Sequence, residues 1–395
     1  MATVATSGGL EISAYPLLSP PLLQHIQEVY EKNDNPNKMF MKACVETIMN
    51  EGRPHLPRVR YTRAKRYSDK AGKGEFAASA MAKVARSQIQ IWDAAKPSRA
   101  KFMGDNEGDV RASGEEEEDD IYLKNFLHLR SSDTFYRSCL DRAPILDENG
   151  DAETICSHLY YPPAFNNAFY NPSDRKVYFG DTDPDVFLSF AKNREIITHE
   201  LGHAVVASTS ALIYQGESGA LNESLADVFA IMHKHFASKT KAASPGANWL
   251  IGDGIVVTPV GLPNQSLRSL FDPGTAYSNH FYLGSDRQPK HMDNLLNTAD
   301  TSARNDYGNV HSNSGIPNHA FYKAAYADQG NSWEKIGKIW YKALVRSNAD
   351  DGFVAFAKQT STIAKSVGGE ACENLVKKAW FDVGVSVDAR RGVLF

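Results

Sequence analysis

Arg194-Glu195-Ile196-Ile197-Thr198-His199-Glu200-Leu201-Gly202-His203 is the stretch on which the reading of this chain turns. It holds no proline and reads as helix, and residues four apart on a helix share one face. His199 and His203 are therefore set to grip one zinc ion, with Glu200 one step round the helix beside the metal's open position. A third ligand is expected on a second helix. Asn222-Glu223-Ser224-Leu225-Ala226-Asp227 supplies it, with Glu223 twenty positions beyond His203. Two histidines and one carboxylate leave the fourth position to water, the mark of a catalytic rather than a structural site. One turn on, Asp227 shares the face of Glu223 and is placed to accept a proton from a ligand imidazole, fixing its tautomer.

Outward from this core, 395 residues with 42% hydrophobic side chains suffice for two or three folded units with a large interior. A net charge of −4 with no large basic block gives no attraction to nucleic acid or an anionic membrane. Cys44, Cys139, Cys156 and Cys372 stand far apart without a CxxC pair, which suits reduced thiols. The N-terminal residues lack the charged and apolar regions of a Sec signal, and no 18-residue apolar run follows. The expectation is a chain that is cytoplasmic or exported without a recognisable signal, and monomeric.

Along the chain, Ser19-Pro20-Pro21 should open a short amphipathic helix carrying Leu22, Leu23, Ile26 and Val29, with a second helix near Met39 to Met49. Gly52, Pro54 and Pro57 then break the pattern before a basic stretch, Arg58 to Arg66. Residues 101–120, ending in Glu115-Glu116-Glu117-Glu118-Asp119-Asp120, read as a solvated loop inserted at the surface. A helix and β-like runs such as Lys176-Val177-Tyr178-Phe179 lie between Ile121 and Asp181, and helices dominate after Asp185. The units expected are 1–57, a short separate segment; 58–212, a mixed α/β lobe; and 213–395, a helical lobe. The fold class is α+β, two lobes with the zinc cleft between them.

HELGH followed by Tyr-Gln-Gly-Glu-Ser-Gly-Ala-Leu-Asn-Glu-Ser-Leu-Ala-Asp resembles the thermolysin-like metallopeptidases. So do Asn166-Asn167-Ala168-Phe169-Tyr170 with Lys176 to Asp181 upstream, and Asp306-Tyr307-Gly308-Asn309-Val310-His311 downstream, the likeness covering most of residues 121–385. The Ser-Pro-Pro-Leu-Leu-Gln-His-Ile stretch is most similar to the protealysin branch, whose members carry a short prosegment. The resemblance implies a thermolysin-like zincin: a zinc endopeptidase made as a zymogen, which cuts peptides and proteins on the N-terminal side of bulky apolar residues.

It also implies roles. Glu200 would take the proton of the attacking water, Tyr214 and His311 would bond the oxyanion, and Asp306 would orient His311. Asn167 and the backbone of Ala168 would pair with substrate main chain, and Arg268 would bond a substrate carbonyl. Phe187, Phe190, Ile196 and Leu267 match the pocket for the residue after the scissile bond. The family's double calcium site is expected to be missing, because no Asp or Glu lies between Asp227 and Asp253 and Lys234 stands at a calcium-binding glutamate's place. The prosegment is expected to be cut off between about Met49 and Arg66. Two other readings remain: a zinc aminopeptidase, for which no GxMEN-type motif is found, and a protease fold idle in catalysis and kept for binding; a proteinaceous inhibitor as a partner is left open by the sequence. The second would lack Glu200, Glu223 or His311, and all three are present.

Overall fold

The computed structural model describes residues 15–35, 37, 39, 41–42, 45, 86–95, 101–104, 118–161, 166–258 and 263–387. The expected processing region, the basic stretch at 58–66 and most of the expected 39–49 helix lie outside them.

One six-stranded sheet carries the first half. Its strands are β1 (Tyr15–Pro16), β2 (Ile89–Asp93), β3 (Lys101–Gly104), β4 (Ile155–Tyr161), β5 (Ala168–Asn171) and β6 (Lys176–Gly180), in the order β1-β5-β6-β4-β2-β3. β2, β4 and β6 run parallel, whereas β5 turns back against β6 and β3 against β2. In β4, Ile155, Ser157 and Leu159 are buried while Cys156, His158 and Tyr160 are less so, the alternation of a strand with one covered face. Across that sheet packs α2 (Glu118–Leu140), whose Asn125 Oδ1 accepts from Ser157 Oγ at 2.7 Å.

Here the expected surface loop over 101–120 needs correcting at its two ends, residues 105–117 lying outside the described ones. Lys101–Gly104 is a strand, and Glu118 already belongs to α2. Acidic residues in a first turn face the positive end of the helix dipole, which stabilises a helix start where self-repulsion alone argued for a loop.

α1 (Pro20–Lys32) begins where the prolines place it, with Ser19 as N-cap. Its buried face is Pro20, Leu23, Ile26 and Tyr30, whereas Leu22 and Val29 are only half-buried. The zinc-motif helix is α3 (Arg194–Ala207), capped by Asn193, whose Oδ1 accepts from the Ile196 amide at 3.1 Å. Beside it runs α4 (Gly216–Ser238). A Cβ on Gly202 would lie 2.8 Å from Ala226 Cα, so the glycine of HELGH is what lets the two backbones meet. The short pair β7 (Leu250–Ile251) and β8 (Arg268–Ser269) lies next to α4, and α5 (Asp306–Asn313), α6 (Gly315–Asp328), α7 (Lys335–Arg346) and α8 (Phe353–Phe381) complete a helical lobe. α7 buries Ile336, Ile339, Trp340, Ala343 and Leu344, a clean helical stripe, and Trp340 stacks on Trp380 of α8 at 6.0 Å. Sheet lobe and helical lobe meet along α3 and α4.

Candidate active site

The close approach of α3 and α4 brings His199, His203 and Glu223 together, all buried, with one ligand atom of each within 4.8 Å of the others. Among the described residues this is the one such group. His203 Nδ1–H donates to Asn222 Oδ1 at 2.9 Å, and His199 Nδ1–H donates to Asp227 Oδ1 at 2.8 Å. With both Nδ1 protons so committed, the two Nε2 lone pairs face each other at 3.1 Å. Glu223 Oε2 and both Glu200 oxygens are buried with no hydrogen-bond partner. Bare imidazole lone pairs beside the unpartnered Glu223 oxygen repel each other unless a cation lies between them, so the set of His199, His203 and Glu223 fits a zinc ion. Burial holds the His203 imidazole neutral, its pKa pushed down to about 4, and neutral imidazole is the ligand form. Burial likewise pushes the Glu200 carboxyl up to about 8, against the pull of His199.

Asp227 does more than orient His199. It takes Arg268 in a two-pronged pair, Nε and Nη2 each at 2.8 Å, and accepts from Asn318 Nδ2 at 2.9 Å. The guanidinium reaches the cleft from β8 on the far side of the zinc ligands.

On the other wall, Asp306, Tyr307, Gly308 and Asn309 all take left-handed backbone. A Cβ at Gly308 would come 2.9 Å from the Gly216 amide nitrogen, so that turn needs its glycine. The turn delivers His311, whose Nδ1–H donates to Asp306 Oδ1 at 2.7 Å, while Gln288 Nε2 donates to the His311 carbonyl. Burial opposes charge on His311, but the Asp306 and Glu223 carboxylates push its pKa up to about 9. Tyr214 OH donates to Glu223 Oε1 and lies 3.4 Å from His311 Nε2. Phe187, Phe190, Ile196 and Leu267 are buried in the same apolar core, with the two phenyl rings 5.2 Å apart.

The cleft between these walls holds the chain's own N-terminal part. β1 pairs antiparallel with β5, Tyr15 opposite Tyr170 and Pro16 opposite Phe169. The Pro16 carbonyl accepts from His311 Nε2 at 2.6 Å, and the Leu17 amide donates to the Ala168 carbonyl at 2.9 Å. The Leu17 carbonyl accepts from Arg268 Nη1 at 3.2 Å. Asn167 serves both sides of Leu18, accepting from its amide at 2.9 Å and donating to its carbonyl at 3.1 Å. The Tyr15 ring leans on His203 and Tyr214, with centroids 5.1 and 4.7 Å away.

The descriptions of two family models match this chain: the thermolysin metallopeptidase catalytic domain over residues 86–207 and its alpha-helical domain over 210–385. The chain belongs to the thermolysin-like metallopeptidases. Protease PrtS of a Photorhabdus strain is 36% identical over 70% of this chain and 72% of its own length. An extracellular metalloprotease of Pectobacterium carotovorum is 38% identical over 70% of this chain and 77% of its own. A solved structure titled as the precursor of protealysin, a metalloproteinase from Serratia proteamaculans, superposes with a TM-score of 0.72 at 29% identity, covering 94% of this chain and all of its own.

This is therefore a protealysin-like metalloendopeptidase in a zinc-dependent family, which sets aside the aminopeptidase reading. Among the described residues no helix is long and apolar enough to cross a membrane. Of the residues expected from sequence, the polar ones and Ala168 lie around this cleft, whereas Phe187, Phe190, Ile196 and Leu267 lie in the buried core. Sequence reasoning missed Asn222, Asn318 and Gln288, which hold His203, Asp227 and His311. Asn222 sits inside a stretch already singled out, and its burial is the signal that pattern alone does not carry. It missed as well that Tyr15 to Leu18 enter the cleft.

Proposed function

We propose that this endopeptidase is a zymogen whose residues 1–57 form an inhibitory prosegment, ahead of catalytic lobes at 58–212 and 213–395, and that it cleaves on the N-terminal side of bulky apolar residues. The observation that carries both points is Leu17. Its side chain has no exposed surface, and its amide and carbonyl are held by Ala168 and Arg268. A peptide substrate needs the same backbone partners, so the segment and a substrate exclude each other. A leucine wholly buried there gains about 1.5–3 kcal/mol over an exposed one, which favours Leu, Ile, Phe or Val at that subsite.

Held by His199, His203 and Glu223, a zinc ion would supply Lewis-acid activation of a water molecule and of the scissile carbonyl. Glu200 takes that water's proton and passes it to the leaving amine. His311, doubly protonated and aligned by Asp306, donates to the carbonyl oxygen as it gains charge, with Tyr214 beside it. Asn167, Ala168 and Arg268 hold the main chain on either side, and Asp227 fixes both His199 and Arg268.

The test is to incubate purified full-length chain with a quenched apolar peptide, following activity and N-terminus together, with Glu200→Gln in parallel. Activity should appear as residues 1 to about 57 are lost by cleavage between Met49 and Arg66, and 1,10-phenanthroline should abolish it until zinc is returned. Glu200→Gln should keep one zinc per chain and lose about 10²–10⁴-fold in kcat. Full activity with the segment intact and uncut would refute the zymogen reading, and chelator-resistant cleavage the metal.

A further inference from the structure

The segment in the cleft lies in the direction and register of something to be cut. Pro16, Leu17 and Leu18 offer five polar main-chain atoms, since proline has no N–H, and the cleft satisfies all five through His311, Ala168, Arg268 and Asn167. The carbonyl that faces His311 Nε2, at 2.6 Å, is that of Pro16, so the amide at the reacting position is Pro16–Leu17. Its nitrogen belongs to leucine, a secondary amide, whereas the amide just before it, Tyr15–Pro16, is tertiary. Leu17 and Leu18 are 0% and 2% exposed, so the leaving-amine side is seated as a substrate must be.

Resting on the zymogen reading, we propose that the N-terminal segment is a tethered substrate and that Pro16–Leu17 is a self-cleavage site used before the segment is removed. Water adds its oxygen to the Pro16 carbonyl carbon and the carbon–nitrogen bond breaks, its electron pair staying with the Leu17 nitrogen. Both water protons end on that nitrogen, which becomes an ammonium, and Pro16 ends as a carboxylate. Glu200, with both oxygens unpartnered beside the ligands, carries the proton across.

The two halves then separate unequally. Of the described residues before the cut, Tyr15 and Pro16 are held by a two-residue strand pair, by the contacts of the Tyr15 ring and by the His311–Pro16 bond, which is spent once the carbonyl becomes a carboxylate. Leu17 continues through Leu18 into α1, whose Leu23, Ile26 and Tyr30 are wholly buried and whose Tyr30 OH donates to Asp183 Oδ2 at 2.5 Å. The new Leu17 amine therefore stays in the cleft after the cut. A chain beginning at Leu17 should still be inhibited, and only later loss of α1 frees the site.

Intact-mass spectrometry under denaturing conditions tests this on the purified full-length chain. The expected result is a chain beginning at Leu17, with a fragment ending at Pro16, accumulating before activity rises and absent in Glu200→Gln. A second arm offers the peptide of residues 14–19 (Ala-Tyr-Pro-Leu-Leu-Ser) to the processed enzyme, where cleavage between Pro and Leu is expected and the Asp-for-Leu17 peptide should be cut at least tenfold more slowly. Full activation with no species beginning at Leu17, or that species forming equally in Glu200→Gln, overturns the proposal. If the intact chain is active from the start, the zymogen reading fails instead, and the peptide arm still decides whether this bond fits the site: an uncut Pro–Leu bond there overturns the proposal too.

Discussion

At the scale of single residues, His311 carries the most chemistry outside the metal ligands. Its Nδ1 proton goes to Asp306 and its Nε2 proton to the carbonyl oxygen that occupies the cleft, at 2.7 and 2.6 Å. A donor fixed in this way costs no reorganisation when the oxygen becomes charged, and the interaction grows as the charge develops. In processed enzyme His311→Ala should therefore lower kcat by about 10²–10³-fold while KM changes less than about threefold, checked by steady-state kinetics on an apolar peptide. A loss confined to KM would make His311 a substrate-binding group only. His199, His203, Glu223 and Asp227 could be read from sequence because each helix repeats its face every three to four residues. Asn318 and Gln288 could not, since each reaches its partner, Asp227 and the His311 carbonyl, from a distant segment.

Between elements, the spacing of α3, α4 and β7 is held by a cation that belongs to the chain. Lys234 Nζ of α4 donates to Asn248 Oδ1 and the Leu250 carbonyl, both at 3.0 Å, and lies 3.7 Å from Glu195 Oε1 in the first turn of α3. Leu250 pairs with Ser269, next to Arg268, so this one ammonium ties the zinc-motif helix to the strand that presents the guanidinium. A tethered ammonium needs no dissolved ion, unlike a divalent cation, whose stabilisation rises with its concentration. We propose that stability here is independent of calcium at this place. A calcium-selective chelator should shift Tm by less than about 2 °C, while Lys234→Met should lower Tm by several degrees, both read by calorimetry. A large fall in Tm with the chelator alone would contradict this. The lysine was visible in sequence as a departure from the family pattern. Its partners Asn248 and Leu250 were not, because one lies in an irregular stretch and the other in a strand of two residues, too short for a periodicity to show. The strand at 101–104 was hidden for a related reason: four residues at a sheet edge, in a stretch of low hydrophobicity that ends in a run of acids, carry too little pattern to outweigh composition.

The whole molecule is built from two lobes and a segment that crosses the cleft between them. The helices and the sheet were legible because their patterns are local, whereas β1 is two residues long and its partners lie about 150 positions away, as in the Leu18–Asn167 pair. Such a contact has no signature in local periodicity, and the Ser-Pro-Pro start of α1 announces a helix without saying what it covers. How firmly the segment is held depends on α1 as well as on the cleft, and Tyr30 is where the two lobes' loops converge on it. Its ring meets Tyr282 edge-on at 5.1 Å, its hydroxyl bonds Asp183, and it is wholly buried. Tyr30→Phe keeps the ring and the packing but leaves a buried carboxylate oxygen without its donor, at a cost of about 1–3 kcal/mol. That cost falls only on the docked state, since the undocked Asp183 is free to meet water. The open population should then rise by roughly fivefold or more. The expected outcome is a correspondingly shorter lag before activity in the full-length chain, with kcat/KM of the processed enzyme unchanged because residue 30 has gone by then. An unaltered lag would mean that α1 does not control release and that the cleft contacts of Leu17 and Leu18 alone set the rate.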